Sequence, residues 1–152
     1  MLKETKDERS IIGFDSFRGF SQEWTGVDKE FPSSRFDRKG IFPKVSENVH
    51  LIDGYIEDTL PNFVGSTDGL EIAFVHVDTD TYSPASVILK NLKPYLSSGS
   101  IILFDELCGY PNWRAHEYKA LIENFSEDEY EFIGFSVGAR SINLMNAAVR
   151  IL

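Results

Sequence analysis

The stretch "EIAFVHVDTDTYSP", Glu71 to Pro84, decides the fold. Glu71–Asp78 is apolar nearly throughout, as a strand buried on both faces of a parallel sheet would be. It ends in acids: Asp78, then Asp80 one residue further on. "SPASVILKNLKPYL" (Ser83–Leu96) follows and predicts a helix. Ser83 suits the cap, Pro84 the first helical position, and Ala85, Ile88, Leu89 and Leu92 share one face. "GSIILFDE" (Gly99–Glu106) is again apolar and again ends in acids. Strand, helix and strand in that order make a βαβ unit, which crosses over right-handed.

Outward from this unit the same alternation continues. "SIIGFD" (Ser10–Asp15) and "NVHLIDG" (Asn48–Gly54) predict two earlier strands. Ser16 to Asn48 between them is irregular and aromatic-rich, and a loop of that length in a small domain is usually functional, often a lid. "NWRAHEYKALIENF" (Asn112–Phe125) predicts a second helix with Tyr118, Leu121, Ile122 and Phe125 on one face. Glu129–Phe135 and Ala147–Leu152 predict a closing antiparallel pair. The first nine residues are charged and fit a helix end or a frayed tail. No repeat, linker or low-complexity tract interrupts the chain, so residues 1–152 are expected to form a single domain of α/β class with a largely parallel sheet.

The 24 acidic and 15 basic residues give a net charge of −9. That disfavours nucleic acid or an anionic membrane as partner, since both attract clustered Lys and Arg. Cys108 is the one cysteine, so no internal disulfide forms and a reducing, cytoplasmic setting is expected. The N-terminus lacks a signal-peptide pattern, and no apolar run approaches the roughly 20 residues of a membrane span.

In open α/β sheets ligands bind at the carboxyl ends of the strands, where this chain keeps Asp15, Asp78, Asp105 and Glu106. Adjacent parallel strands lie about 4.8 Å apart, so Asp78, Asp105 and Glu106 can converge on a cation such as Mg²⁺; capping of the next loop is the plainer role. Asp15 can accept hydrogen bonds from a ribose or close a turn. His76 shares a strand face with Asp78 and fits a core position or a partner of a metal ligand. His116 fits a surface position or a general base. His50 carries no expectation. Trp24 and Trp113 can wall a pocket or simply pack. The Asp78-Thr79-Asp80-Thr81 pattern also matches the nucleophile motif of haloacid-dehalogenase-type phosphatases and the metal motif of sugar-nucleotide glycosyltransferases. The first needs its strand to open the fold and a downstream Lys, and the second usually needs a longer chain.

Five segments in order, "GFDSFRGF" (Gly13–Phe20), "LIDGYIEDTLP" (Leu51–Pro61), "FVHVDTDTYSP" (Phe74–Pro84), "GSIILFDE" (Gly99–Glu106) and "GYPNWRAHEYKA" (Gly109–Ala120), resemble the macrocin O-methyltransferase-like family of class I, S-adenosylmethionine-dependent methyltransferases. The resemblance runs from about Ile11 to the C-terminus. It implies a Rossmann-like sheet, mostly parallel with an antiparallel C-terminal hairpin, and metal-dependent methylation of a hydroxyl on a sugar or small molecule. It implies that Asp15, Ser16, Gly54, Glu57 and Asp58 meet the cofactor, that Asp78, Asp105 and Glu106 hold Mg²⁺, and that Asp78 and His116 serve catalysis. Glu106 stands where many members have a second aspartate. Phe17–Phe42 is expected to shape the acceptor pocket.

One family feature is missing. Class I methyltransferases open with a strand and a Gly-rich loop, commonly G-x-G, and this chain has no G-x-G. The resemblance begins at the family's second strand, so the sheet is expected to be N-terminally truncated. The absent strand belongs between Ser10–Asp15 and Glu71–Asp78. Those neighbours must pair directly, accept an upstream segment or another copy, or stay open. Two functions follow: an O-methyltransferase completed by an upstream segment, or a non-catalytic methyltransferase-like module. A phosphatase using Asp78 as nucleophile ranks third.

Overall fold

A computed structural model gives the fold and describes residues 9–22, 24–27, 29–137 and 145–152. Strands β1 (Ile11–Asp15) and β4 (Val49–Asp53) pair in parallel from Ile11 opposite Val49 to Asp15 opposite Asp53. Four other strands form a second sheet: β5 (Ile72–Val77), β6 (Leu96–Cys108), β8 (Met145–Ile151) and β7 (Tyr130–Val137), in that spatial order. β5 and β6 run parallel, and β8 pairs antiparallel with both β6 and β7. The mostly parallel sheet with an antiparallel C-terminal hairpin therefore stands. Among the described residues β1 and β5 share no ladder, so they do not pair directly.

Helices α1 (Ile56–Ser66), α2 (Tyr82–Leu92) and α3 (Glu117–Asn124) pack in series, α1 on α2 and α2 on α3. The core lies beneath them. Val75 and Val77 of β5, Ile102 and Phe104 of β6, and Ala147 and Val149 of β8 meet Leu60, Ala85, Leu89 and Leu121 from the helices. The alternation of a strand sends Phe74 and His76 the other way, and there Phe74 is 57% exposed. β5 was expected to be covered on both faces; among the described residues only one is covered.

Several boundaries differ from expectation for local reasons. Helix α2 starts at Tyr82 with Thr81 as its cap residue, and Pro84 lies third in the first turn. A proline costs little there, because first-turn N–H groups have no intrahelical partner. Residues 93–95 continue as a 3₁₀ turn, and β6 begins at Leu96. The predicted helix over 112–125 is split. A 3₁₀ turn covers Trp113–Ala115, His116 leaves helical geometry, and α3 starts at Glu117. Helix α1 has no clear announcement in the sequence, since Pro61 sits inside it and leaves one helical acceptor without its donor. The irregular stretch after β1 holds a short hairpin, β2 (Trp24–Val27) with β3 (Lys29–Phe31), and a 3₁₀ turn at Ser33–Phe36. The expectation for the charged N-terminus falls on residues 1–8, outside the described residues.

Candidate active site at the strand ends

The first group of acids lies at the ends of β1 and β4. One oxygen of Asp15 accepts the Phe17 N–H at 2.6 Å, while the Asp15 carbonyl accepts the Gly54 N–H at 3.1 Å, closing the two strand ends together. Gly54 has φ +138, and a Cβ there would stand 2.7 Å from Thr59 Cγ2, so the tight exit from β4 requires glycine. Ser16 is buried; its Oγ donates to the Gly19 carbonyl at 2.9 Å and accepts the Arg18 N–H at 3.1 Å. Arg18 in turn grips Asp53 through two nitrogens, at 2.6 and 3.0 Å, and holds that carboxyl below its usual range. Glu57, in the first turn of α1, accepts hydroxyl hydrogen bonds from Ser21 at 2.9 Å and from Ser83 of α2 at 3.4 Å, and so bridges the loop after β1 and helix α2. Asp58 is exposed on the same turn.

The second group lies at the ends of β5 and β6, and it differs from expectation in membership. One oxygen each from Asp78, Asp80 and Glu106 come within 4.8 Å of one another. Asp80 enters because the chain turns back: Asp80 has φ +60, and the Thr81 N–H donates to the Thr79 carbonyl at 2.6 Å. Aspartate is among the few residues that tolerate this left-handed conformation. On a continuing strand Asp80 would lie two residues, about 6.6 Å, beyond Asp78. Asp105 turns elsewhere. Neighbours on a strand point to opposite faces, and Asp105 Oδ1 accepts the Asn146 amide at 2.7 Å and lies 3.8 Å from His76 Nε2. His76 is thus not a core residue; its side chain is 43% exposed beside Asp105, and it also acts electrostatically on Asp78.

Electrostatics sets this group apart. Burial raises the carboxyl of Asp78, and the charge of Asp105 adds to it. Burial raises Asp80 and Glu106; the charge of Asp78 adds to it at Asp80 and the charge of Asp80 adds to it at Glu106, and these two are close enough to share a hydrogen bond. Below them Glu117 is fully buried and pushed up to about 8, again chiefly by burial. Like charges gathered in a cleft are unfavourable unless a proton or cation offsets them. Hard carboxylate oxygens, one of them the buried and unpartnered Oε2 of Glu106, fit a divalent ion of the Mg²⁺ kind.

An aromatic wall adjoins this group. Trp24 is buried edge-on to Tyr110, and Tyr110 stacks at 6.1 Å on His116, which is itself buried with neither ring nitrogen hydrogen-bonded. Burial lowers the His116 pKa, leaving a neutral ring able to accept a proton. Trp113 packs instead on Tyr118 and Arg114, and His50 lies exposed on β4. Sequence reasoning missed Asp80 as a member, Tyr110 and Glu117. The Asp-x-Asp spacing and the acid after His116 were the available signals.

This parallel sheet, with two acid groups at its strand ends, defines a Rossmann-like methyltransferase fold. Residues 1–107 match the family model described as "Methyltransferase domain", and the chain belongs to that family. Over 80 residues it is 32% identical to the 8-demethyl-8-(2,3-dimethoxy-alpha-L-rhamnosyl)-tetracenomycin-C 4'-O-methyltransferase of Streptomyces olivaceus, covering 53% of this chain and 28% of that one. Among solved structures it is similar to the calicheamicin methyltransferase CalS11, with a TM-score of 0.68 and 25% identity over 93% of this chain and 60% of that one. The O-methyltransferase NovP shares the fold, with a TM-score of 0.62 and 21% identity over 99% of this chain and 63% of that one. The chain therefore spans less than two thirds of the length of each of these relatives.

Proposed function

We propose that this chain is the cofactor- and metal-binding region of an S-adenosylmethionine-dependent O-methyltransferase that acts on a hydroxyl of a sugar or small molecule. The observation that carries the proposal is the convergence of Asp78, Asp80 and Glu106 at the ends of two parallel strands, in a chain of the methyltransferase family. The sugar follows from relatives named for rhamnosyl and TDP-rhamnose methylation.

Asp15, Ser16, Gly54, Glu57 and Asp58 are assigned to the cofactor, which when bound supplies a methyl on a sulfonium. Asp78, Asp80 and Glu106 are assigned to Mg²⁺, which when bound would lower the pKa of an acceptor hydroxyl; Asp105, expected in this set, is turned to Asn146 and stays outside it. Asp78 helps orient that hydroxyl in line with the methyl, and orientation supplies much of the rate in such a displacement. The neutral His116 takes the proton. Trp24 and Tyr110 keep water from that side of the cleft. With one cysteine and no described helix long and apolar enough to cross a membrane, we assign the chain to the cytoplasm.

A second reading rests on the open edge of β5, where Phe74 is exposed. A non-catalytic module with that edge left bare, or covered by an upstream segment or a second copy, accounts for it equally. Calorimetric titration of the folded chain with S-adenosylhomocysteine, with and without Mg²⁺, separates the two. Micromolar binding strengthened by Mg²⁺ supports the enzyme; a folded chain that binds neither ligand supports the module.

A further inference from the structure

Glu117 has no part in the assignments above, yet it touches both arms of the carboxylate site. It opens α3 and is completely buried. Its Oε1 accepts the Thr79 N–H at 3.3 Å, and Thr79 lies between Asp78 and Asp80. The backbone of Glu106, at the end of β6, lies near enough to favour the ionised form of Glu117. Its Oε2 is buried without a hydrogen-bond partner. One side chain from a third element thus ties the turn after β5 by a hydrogen bond and packs beside the end of β6, the two segments that carry the converging oxygens of Asp78, Asp80 and Glu106.

We infer that Glu117 is a positioning residue that holds the turn after β5 and the end of β6 at the spacing at which these three carboxylates close on one divalent cation. The inference rests on the cation reading above. A purely structural role fits poorly. A carboxyl buried beside other carboxyls is unfavourable, and that repulsion offsets what its hydrogen bond from the Thr79 N–H contributes to stability. The side chain is better explained by what it orders than by what it stabilises.

The test compares wild type, Glu117→Leu and Glu117→Gln, reading Mn²⁺ affinity by electron paramagnetic resonance and folding by thermal midpoint. Leu fills the volume without accepting a hydrogen bond; Gln keeps the acceptor. The expected result is a loss of Mn²⁺ affinity in Glu117→Leu of about 10- to 100-fold, the range for groups that orient metal ligands. Its thermal midpoint should move little, because relief of carboxylate repulsion offsets the Thr79 N–H left without an acceptor, and Glu117→Gln should bind Mn²⁺ nearly as wild type. Unchanged affinity in Glu117→Leu, or equal losses of affinity in both variants, overturns the inference and leaves the cation reading standing. A wild-type chain that does not bind Mn²⁺ overturns both.

Discussion

The two sheets treat strand-end acids in opposite ways. At the ends of β1 and β4, Asp53 faces Arg18 and Asp15 faces a backbone N–H. At the ends of β5 and β6, Asp78, Asp80, Glu106 and Glu117 crowd together, and burial raises all four carboxyls. The first group is electrostatically complete, whereas the second lacks a positive charge. On the proposed reading a cation completes the second group, while the first offers fixed acceptors and donors for hydrogen bonding.

Core substitutions should separate the two parts most strongly. Phe104→Ala, fully buried in β6, should lower the unfolding free energy by about 3–5 kcal/mol in urea titration. Phe14→Ala on the half-buried β1 should cost clearly less, and equal costs would erase the contrast.

Cation binding comes next. Asp80→Asn preserves a residue tolerant of the left-handed turn and should weaken Mn²⁺ binding at least about 10-fold. Asp53→Asn should leave Mn²⁺ binding unchanged. An Asp80→Asn chain that binds Mn²⁺ like wild type would break the assignment of Asp80.

The pH dependence of stability should have opposite signs at the two kinds of acid. Glu117 in the fold holds its proton up to about pH 8, against an ordinary value near 4.5. Across that window the folded chain binds more protons than the unfolded one, so stability falls as pH rises from about 5 to 8. Asp78, Asp80 and Glu106, also raised, add in the same direction. Saturating Mg²⁺ should flatten or reverse this slope, and Glu117→Gln should reduce it. Half-buried Glu129, held at about 2 by the Lys93 ammonium, acts the other way: its contribution is present above its ordinary value and lost as pH falls towards 2. Thermal melts from pH 4 to 9 check both signs.

The smallest effect is expected from Arg18→Ala. Its pair with Asp53 is exposed and screened by solvent, so the thermal midpoint should barely move, while S-adenosylhomocysteine binding should weaken because the loop carrying Ser16 is less fixed.

Much of the fold was legible. The apolar runs before Asp15, Gly54, Asp78 and Glu106 became β1, β4, β5 and β6, because burial of a continuous apolar run beside a helix leaves few other solutions. Helix α1 escaped because of Pro61, and the split at His116 left no periodic trace. In the site, Asp78 and Glu106 were found as strand-end acids. Asp80 was missed because only a left-handed turn brings it back to Asp78.

The sequence by itself determined the order of strands and helices, the excess of acid, and the placing of acids at strand ends, since these follow from hydrophobic period and composition. Tertiary structure alone decided which acids meet. The pleat turned Asp105 towards Asn146 and Glu106 towards Glu117, and one turn folded Asp80 onto Asp78. Spacing along a chain fixes which face a side chain takes, but the distance between two strand ends is set by how the elements pack.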